Sequence, residues 1–187
     1  MTRFTTHTIE SAPAAARPTL ESAQKALGFV PNLYANLAEA PAALEAYTTL
    51  SALFGKTSFN ATERQIVLLA TSVENGCGFG VPAPSLIARE MDRVAPAIVA
   101  ALRERRPIAD DGLGALATST RLVVRERGWV SGDITNRFLA AGYRRQQALE
   151  VVLGVTMKTL SNYANHLTET QVNPELGSEA WSRARAA

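Results

Sequence analysis

The chain has 187 residues, of which 47% are hydrophobic and 19% are charged, and its formal net charge is +2. A chain of this length can bury the core of one domain, and so slight a charge does not indicate a nucleic-acid-binding protein. The single cysteine excludes an intrachain disulfide and a thiolate-rich metal site. We therefore expect one domain without a metal, a cofactor or a nucleic-acid partner.

Signals for secretion and membrane insertion are missing from the sequence. The first ten residues lack the continuous apolar segment of a signal peptide. No apolar run approaches the ~20 residues that a membrane-spanning helix needs. We expect a cytoplasmic protein with no membrane partner.

Apolar residues recur at three- and four-residue spacing along most of the chain, and no alternating strand pattern is bounded by turns. The sequence therefore predicts an all-α fold, a single-domain bundle of about eight helices. We divide the chain into an N-terminal arm (1–17), a helical domain (18–172) and a C-terminal tail (173–187).

Helix start and stop signals follow in chain order. Thr19 can cap the start of a first helix. Gly28 can end this helix, because glycine adopts the left-handed conformation without steric cost. Pro96 suits the start of a later helix, where its missing N–H costs nothing. Asp110 or Asp111 can cap the helix after that one.

The central helix has the most regular apolar pattern. Asn60 and Glu63 form a capping-box pattern at its start, and Asn75-Gly76 ends it. Its apolar residues lie on one face: Ile66, Val67, Leu69, Ala70 and Val73.

The last long helix is predicted from about Arg145 to Thr168. Its expected buried stripe consists of Val151, Val152, Val155, Leu160, Tyr163 and Leu167. This helix is long and apolar on nearly all sides, which indicates more apolar surface than one domain can bury. We therefore expect a homo-oligomer, a dimer or larger.

Cys77 lies in the turn between the central helix and a helix that Pro82 and Pro84 begin. The unpaired N–H groups at a helix start favour a thiolate, so Cys77 is a candidate nucleophile. The alternative is a buried cysteine that serves only as a small apolar residue. Glu74, three residues earlier, is an accessory candidate as a general base, or else an ion-paired carboxylate at a helix end.

The stretch from Asn60 to Arg89 resembles the carboxymuconolactone decarboxylase and alkylhydroperoxidase D-like family. The redox branch of that family carries Cys-x-x-Cys-x-x-x-His, whose first cysteine matches Cys77. Its second cysteine falls on Gly80 and its histidine on Pro84. The relay glutamate of the family falls on Gln65, two residues after Glu63.

Three other segments extend this resemblance over roughly residues 15 to 176. They are Gly28–Asn32, Ala40-Pro41 with Tyr47, and Leu160–His166. The last segment resembles the peroxidase-related members and contains His166, an accessory candidate for which we expect a structural hydrogen-bonding role. The resemblance implies the family's helical bundle and a homo-oligomer.

Three functions remain open on this basis. The favoured interpretation is a family protein that lacks dithiol peroxidase activity, because Gly80 has no thiol and Pro84 no imidazole. The first alternative is a one-cysteine antioxidant enzyme that reduces a small hydroperoxide through Cys77 and an external thiol reductant. The second is an enzyme like the cofactor-free lactone decarboxylases of the family.

Overall fold

The computed structural model describes residues 4–90 and 92–182, with the side chain of Arg89 left out. Over these residues the chain forms nine α-helices and one 3₁₀ helix, and no β-strand. The α-helices are α1 (Arg17–Leu27), α2 (Asn32–Leu37), α3 (Pro41–Phe54), α4 (Ala61–Glu74), α5 (Pro82–Glu90), α6 (Pro96–Arg103), α7 (Asp111–Arg125), α8 (Gly132–Ala140) and α9 (Arg145–Leu167). The 3₁₀ helix spans Pro174–Glu179. The predicted all-α class is confirmed.

Helix α4 is the centre of the bundle, and its neighbours are α5, α6, α7 and α9. The predicted capping box is present: the Asn60 side chain accepts from the Glu63 N–H at 2.9 Å, and Glu63 accepts from the Asn60 N–H at 2.8 Å. The predicted apolar face is fully buried. Gly76 follows the helix with φ +69°, the left-handed conformation that the stop signal indicated.

The N-terminal arm packs against the helices of its own chain. Ala12 and Ala16 are buried in a small apolar cluster with residues of α1, α2 and α3. The backbone N–H of His7 donates to the Ala35 carbonyl at 3.2 Å, and its imidazole contacts the Glu39 carboxylate at 2.7 Å.

The described part of the C-terminal segment, residues 173–182, is likewise packed on the bundle. Its 3₁₀ helix lies against α5. The Glu179 carboxylate accepts from Arg103 at 3.0 Å, and the Trp181 indole donates to the Arg103 carbonyl at 3.2 Å. These contacts hold residues 179–181 beside the loop that carries Cys77.

Two sequence predictions need correction. Helix α1 begins at Arg17, after Ala16, so Thr19 lies inside the helix and does not cap it. In α9, Val152, Tyr163 and Leu167 are exposed and not part of the buried face. The buried residues of α9 are instead Gln147, Val151, Gly154, Met157, Lys158, Ser161, Asn162 and Asn165.

The buried face of α9 differs from the predicted one because the two halves of its inward face meet different surroundings. Its first half packs against apolar side chains of α3 and α4, whereas its second half meets polar groups after α4. No helix among the described residues is long and apolar enough to cross a membrane.

Candidate functional site

Cys77 lies in the short loop between α4 and α5, with its side chain fully buried. Three backbone or side-chain groups surround the Cys77 sulfur. The Gly80 N–H donates to Sγ at 3.2 Å, the Asn162 carbonyl lies 3.9 Å away, and the Asn165 amide nitrogen lies 4.0 Å away. The Gly80 N–H can donate to the sulfur in either protonation state, and the Asn162 carbonyl is placed to accept from a neutral thiol.

Gly80 is where the family motif would carry its second thiol. A Cβ at Gly80 would lie 2.2 Å from the Asn162 amide nitrogen, 3.1 Å from the Cys77 sulfur and 3.1 Å from the Ser72 hydroxyl. The first distance is far below van der Waals contact, so a side chain at Gly80 requires Asn162 to move. Asn162 of α9 therefore occupies the space of the missing second thiol.

Lys158 is the only lysine that the sequence places on the inward face of α9, and it is buried. Its ammonium donates to the Gly80 carbonyl at 3.2 Å, so Gly80 contacts the ammonium with its carbonyl and the sulfur with its N–H. Burial lowers the pKa of Lys158 from 10.5 to about 8, while interaction with Cys77 acts in the opposite direction. Burial favours the neutral form of Lys158, and a negative charge on Cys77 would favour its charged form.

Polar atoms without a hydrogen-bond partner gather around this loop. They are Ser72 Oγ, Asn162 Nδ2 and Asn165 Oδ1, all in buried side chains. Leaving a buried donor or acceptor unpaired costs about 1–3 kcal/mol, and such groups often mark a place where water or a ligand binds.

A surface cleft of about 370 Å³ lies next to Cys77. Its wall includes Cys77 itself, Phe79, Asn165, His166 and Trp181. Asn165 lines this cleft, although its unpartnered oxygen is itself buried. The sulfur itself has no exposed surface, so a reagent must displace part of the wall to reach it.

The remaining predicted site residues lie elsewhere or have other contacts. Gln65 lies about three turns before Cys77 along α4 and donates to the Asp92 carboxylate at 2.8 Å. The Glu74 carboxylate pairs with Arg125 at 3.0 Å, which fits the ion-paired alternative. Pro84 is buried in the first turn of α5.

His166 is exposed and lines the cleft. Its ring centroid lies 6.4 Å from that of Tyr163 in a tilted arrangement. The structure thus brings His166 and Cys77 to the same cleft.

Sequence reasoning did not select Lys158, Asn162 or Asn165. One signal was present: these residues follow Val151 at intervals of seven, four and three, which is helical spacing. Polar residues at such spacing on an otherwise apolar helix indicate a buried polar site, but only after the inward face is known. In the part of the chain that the structure describes, no group of three or more His, Cys, Asp and Glu side chains is placed to hold a metal ion.

The fold is that of the alkylhydroperoxidase AhpD core. A peroxidase-related protein from Ralstonia eutropha JMP134, described as an AhpD core, matches with a TM-score of 0.81 at 22% identity, covering 93% of each chain. A peroxidase-related protein from Silicibacter sp. TM1040 matches with a TM-score of 0.77 at 16% identity over 95% of each chain.

A third similar structure is a cysteine-to-alanine variant of the debrominase Bmp8 in complex with 2,3,4-tribromopyrrole. It has a TM-score of 0.76 and 15% identity, and covers 96% of each chain. No protein-family model matches the sequence, and a search of curated proteins found no match. At these identities the likeness establishes the fold, and the chemistry must be argued from the residues of this chain.

Proposed function

We propose that this chain is a peroxidase-related protein that lacks the dithiol cycle and acts through the single thiol of Cys77. The observation that carries the proposal is the arrangement around Gly80. Its missing Cβ leaves space that Asn162 fills, which supports the loss of the second thiol as part of this site. Its N–H and carbonyl contact the Cys77 sulfur and the Lys158 ammonium, which supports a retained thiolate.

The reaction class is the reduction of a small hydroperoxide, an antioxidant activity. The Cys77 thiolate attacks the terminal oxygen of the hydroperoxide, the O–O bond breaks, and the alkoxide takes a proton from water. Sulfur is oxidised to a sulfenic acid, and the hydroperoxide is reduced to an alcohol. Two molecules of an external thiol then regenerate Cys77 through a mixed disulfide, releasing water and the external disulfide.

A test of this function is cumene hydroperoxide consumption with glutathione, a monothiol, as the reductant. We expect turnover by the unaltered chain that Cys77→Ser abolishes. His166→Ala is the matched control, because His166 lines the same cleft and contributes no sulfur. Turnover that survives Cys77→Ser would contradict the role of the thiol, and no turnover by the unaltered chain would leave a non-catalytic relative of the peroxidases.

A small brominated pyrrole is the second electrophile to assay. The debrominase Bmp8 shares this fold, and its structure was solved with 2,3,4-tribromopyrrole. The cleft beside Cys77 has a volume of about 370 Å³, which is within the range of small-molecule pockets.

We also propose a homo-oligomer, with a second copy covering the outer face of α9. Four exposed apolar side chains of α9 lie within about 60° of one another around the helix, given 100° per residue. They are Leu149, Val152, Tyr163 and Leu167. The stripe is roughly 27 Å long at 1.5 Å rise per residue, and a twofold axis would pair it with itself.

Light scattering coupled to size exclusion tests this proposal. We expect a mass at least twice the 20.0 kDa of one chain, reduced by Leu149→Glu with Tyr163→Glu. Trp129→Glu is the control, because Trp129 is 89% exposed and lies outside α9. A mass of one chain for the unaltered protein would contradict the oligomer.

A further inference from the structure

The buried lysine beside the thiol is the feature of the site that the family motif does not explain. Lys158 comes from α9, far from Cys77 in sequence, and the one hydrogen bond described for its ammonium is to the Gly80 carbonyl. A neutral acceptor does not offset the cost of burying an ammonium ion. A negative charge close to Lys158 would therefore stabilise its charged form.

We infer that the Lys158 ammonium is the charge partner that holds Cys77 as a thiolate, so that Lys158 is a positioning residue of the proposed reaction. This inference rests on the proposed function and adds a residue to it. The geometry carries it: Gly80 donates its N–H to the Cys77 sulfur at 3.2 Å and accepts from Lys158 at 3.2 Å. One residue thus bridges the cation and the sulfur inside the protein.

Other polar groups of this region, on α3 and on α9, carry no charge near neutral pH. On α3, Tyr47 interacts with the Ser161 side chain, and burial raises the pKa of the Tyr47 hydroxyl, which keeps it neutral. On α9 itself, Asn162 and Asn165 are neutral amides. Cys77 is the one titratable group whose charge acts on Lys158 in the described part of the chain.

A substrate would meet the thiolate at the cleft, whose wall includes both Cys77 and Asn165. The side-chain amide nitrogen of Asn165 lies 4.0 Å from the Cys77 sulfur. Lys158 is not part of the cleft wall described for this site. The ammonium therefore acts on the sulfur from the interior, while the substrate approaches from the cleft.

The test is the pH titration of the thiolate by its ultraviolet absorbance, with the Cys77→Ser spectrum subtracted to remove the tyrosine contribution. The quantity compared is the midpoint of this titration in the unaltered chain and in the Lys158 variants. Lys158→Met should raise the midpoint by one pH unit or more, a loss of about tenfold in thiolate near neutral pH. Lys158→Arg, which keeps the charge, should restore most of the thiolate.

A folded Lys158→Met variant with an unchanged midpoint would overturn the inference. If that variant does not fold, the reciprocal measurement decides. Coupling between two titrating groups is mutual, so Cys77→Ser should lower the pKa of Lys158, read by NMR of its ε-methylene group. An unchanged lysine pKa in Cys77→Ser would equally contradict the pairing.

Neither titration contains a hydroperoxide, so both are independent of turnover. A coupled thiolate without peroxide consumption would contradict the proposed function alone. Peroxide consumption with an uncoupled thiol would contradict the role of Lys158 alone.

Discussion

Two glycines allow close contact between α9 and its neighbours, and the groups in contact differ in polarity. Gly154 belongs to α9, and a Cβ there would lie 2.6 Å from the Phe54 ring of α3 and 2.7 Å from a Val67 methyl of α4. Gly80 belongs to the loop after α4, and a Cβ there would lie 2.2 Å from the Asn162 amide of α9. The first contact is between apolar groups and the second between polar ones.

The comparison teaches that close approach alone does not make a site. Around Gly154 the neighbours are carbon atoms, which gain from exclusion of water. Around Gly80 the neighbours include a thiol, a lysine ammonium and amides with unpaired atoms. Burying those groups costs free energy, and function is the usual reason for keeping them.

The largest expected effect on stability is at Gly154, where the contacts are apolar. Gly154→Ala should lower the free energy of unfolding by about 1–3 kcal/mol, because neither the Phe54 ring nor Val67 can withdraw without disturbing the core. Urea denaturation measures the change. Gly132→Ala is the control, since a Cβ there meets nothing within 4 Å. Equal stability of the two variants would show that the contact at Gly154 yields easily.

A second set of substitutions tests the polar contacts at Gly80. Gly80→Cys with Pro84→His would restore the second thiol and the imidazole of the family motif, but Asn162 must make room for the new side chain. Gly80→Cys alone should cost roughly 1–2 kcal/mol of stability through overpacking, and Asn162→Ala should relieve part of that cost.

Gly80→Cys alone and Gly80→Cys with Asn162→Ala should also differ in how readily the new cysteine forms a disulfide with Cys77. Positions 77 and 80 are the ends of a turn in which the Gly80 N–H donates to the Cys77 carbonyl at 3.1 Å. The ends of such a turn lie within the Cα separation of about 7 Å that a disulfide needs. We expect mild oxidant to form the disulfide readily only when Gly80→Cys is combined with Asn162→Ala, as mass spectrometry would detect. Equal formation without the change at Asn162 would mean that Asn162 moves freely.

A smaller effect concerns the pH dependence of stability. The folded-state pKa of Lys158 is lowered from 10.5 to about 8, so the unfolded chain binds more protons between these values. Stability should therefore rise with pH from about 8, by at most about 3 kcal/mol at the upper limit. The tyrosines act oppositely above about pH 10, because burial raises the pKa of Tyr34 and Tyr47.

The effect of Lys158 on stability can thus be measured between about pH 8 and pH 10. The stability of the unaltered chain is compared there with that of Lys158→Met. Urea denaturation of the unaltered chain should show a gain in stability across this window that the variant lacks. Parallel curves for both proteins would mean that Lys158 is well solvated.

Much of the fold could be predicted because helix signals are local. The capping box of Asn60 and Glu63, the stop at Gly76 and the buried face of α4 depend on residues within a few positions of one another. The N-cap of α1 was predicted three residues late, at Thr19 instead of Ala16, because Thr19 is a good cap by type although the helix continues through it.

The site could be predicted only in part. Cys77 and the substitution at Gly80 are visible in a local motif, but Lys158 and Asn162 reach the loop from α9, about 80 residues later. The apolar Val152 and Tyr163 favoured the wrong face of α9 as the buried one. Apolar periodicity cannot identify a buried face that carries polar residues.

The central claim is that Cys77 reacts as a thiolate in the folded protein. The most direct measurement is intact-mass and peptide mass spectrometry after native protein is treated with one equivalent of hydroperoxide and dimedone, which traps sulfenic acid. We predict one dimedone adduct, located on Cys77, under native conditions. An adduct that forms only after denaturant is added would contradict the claim and assign Cys77 to the core.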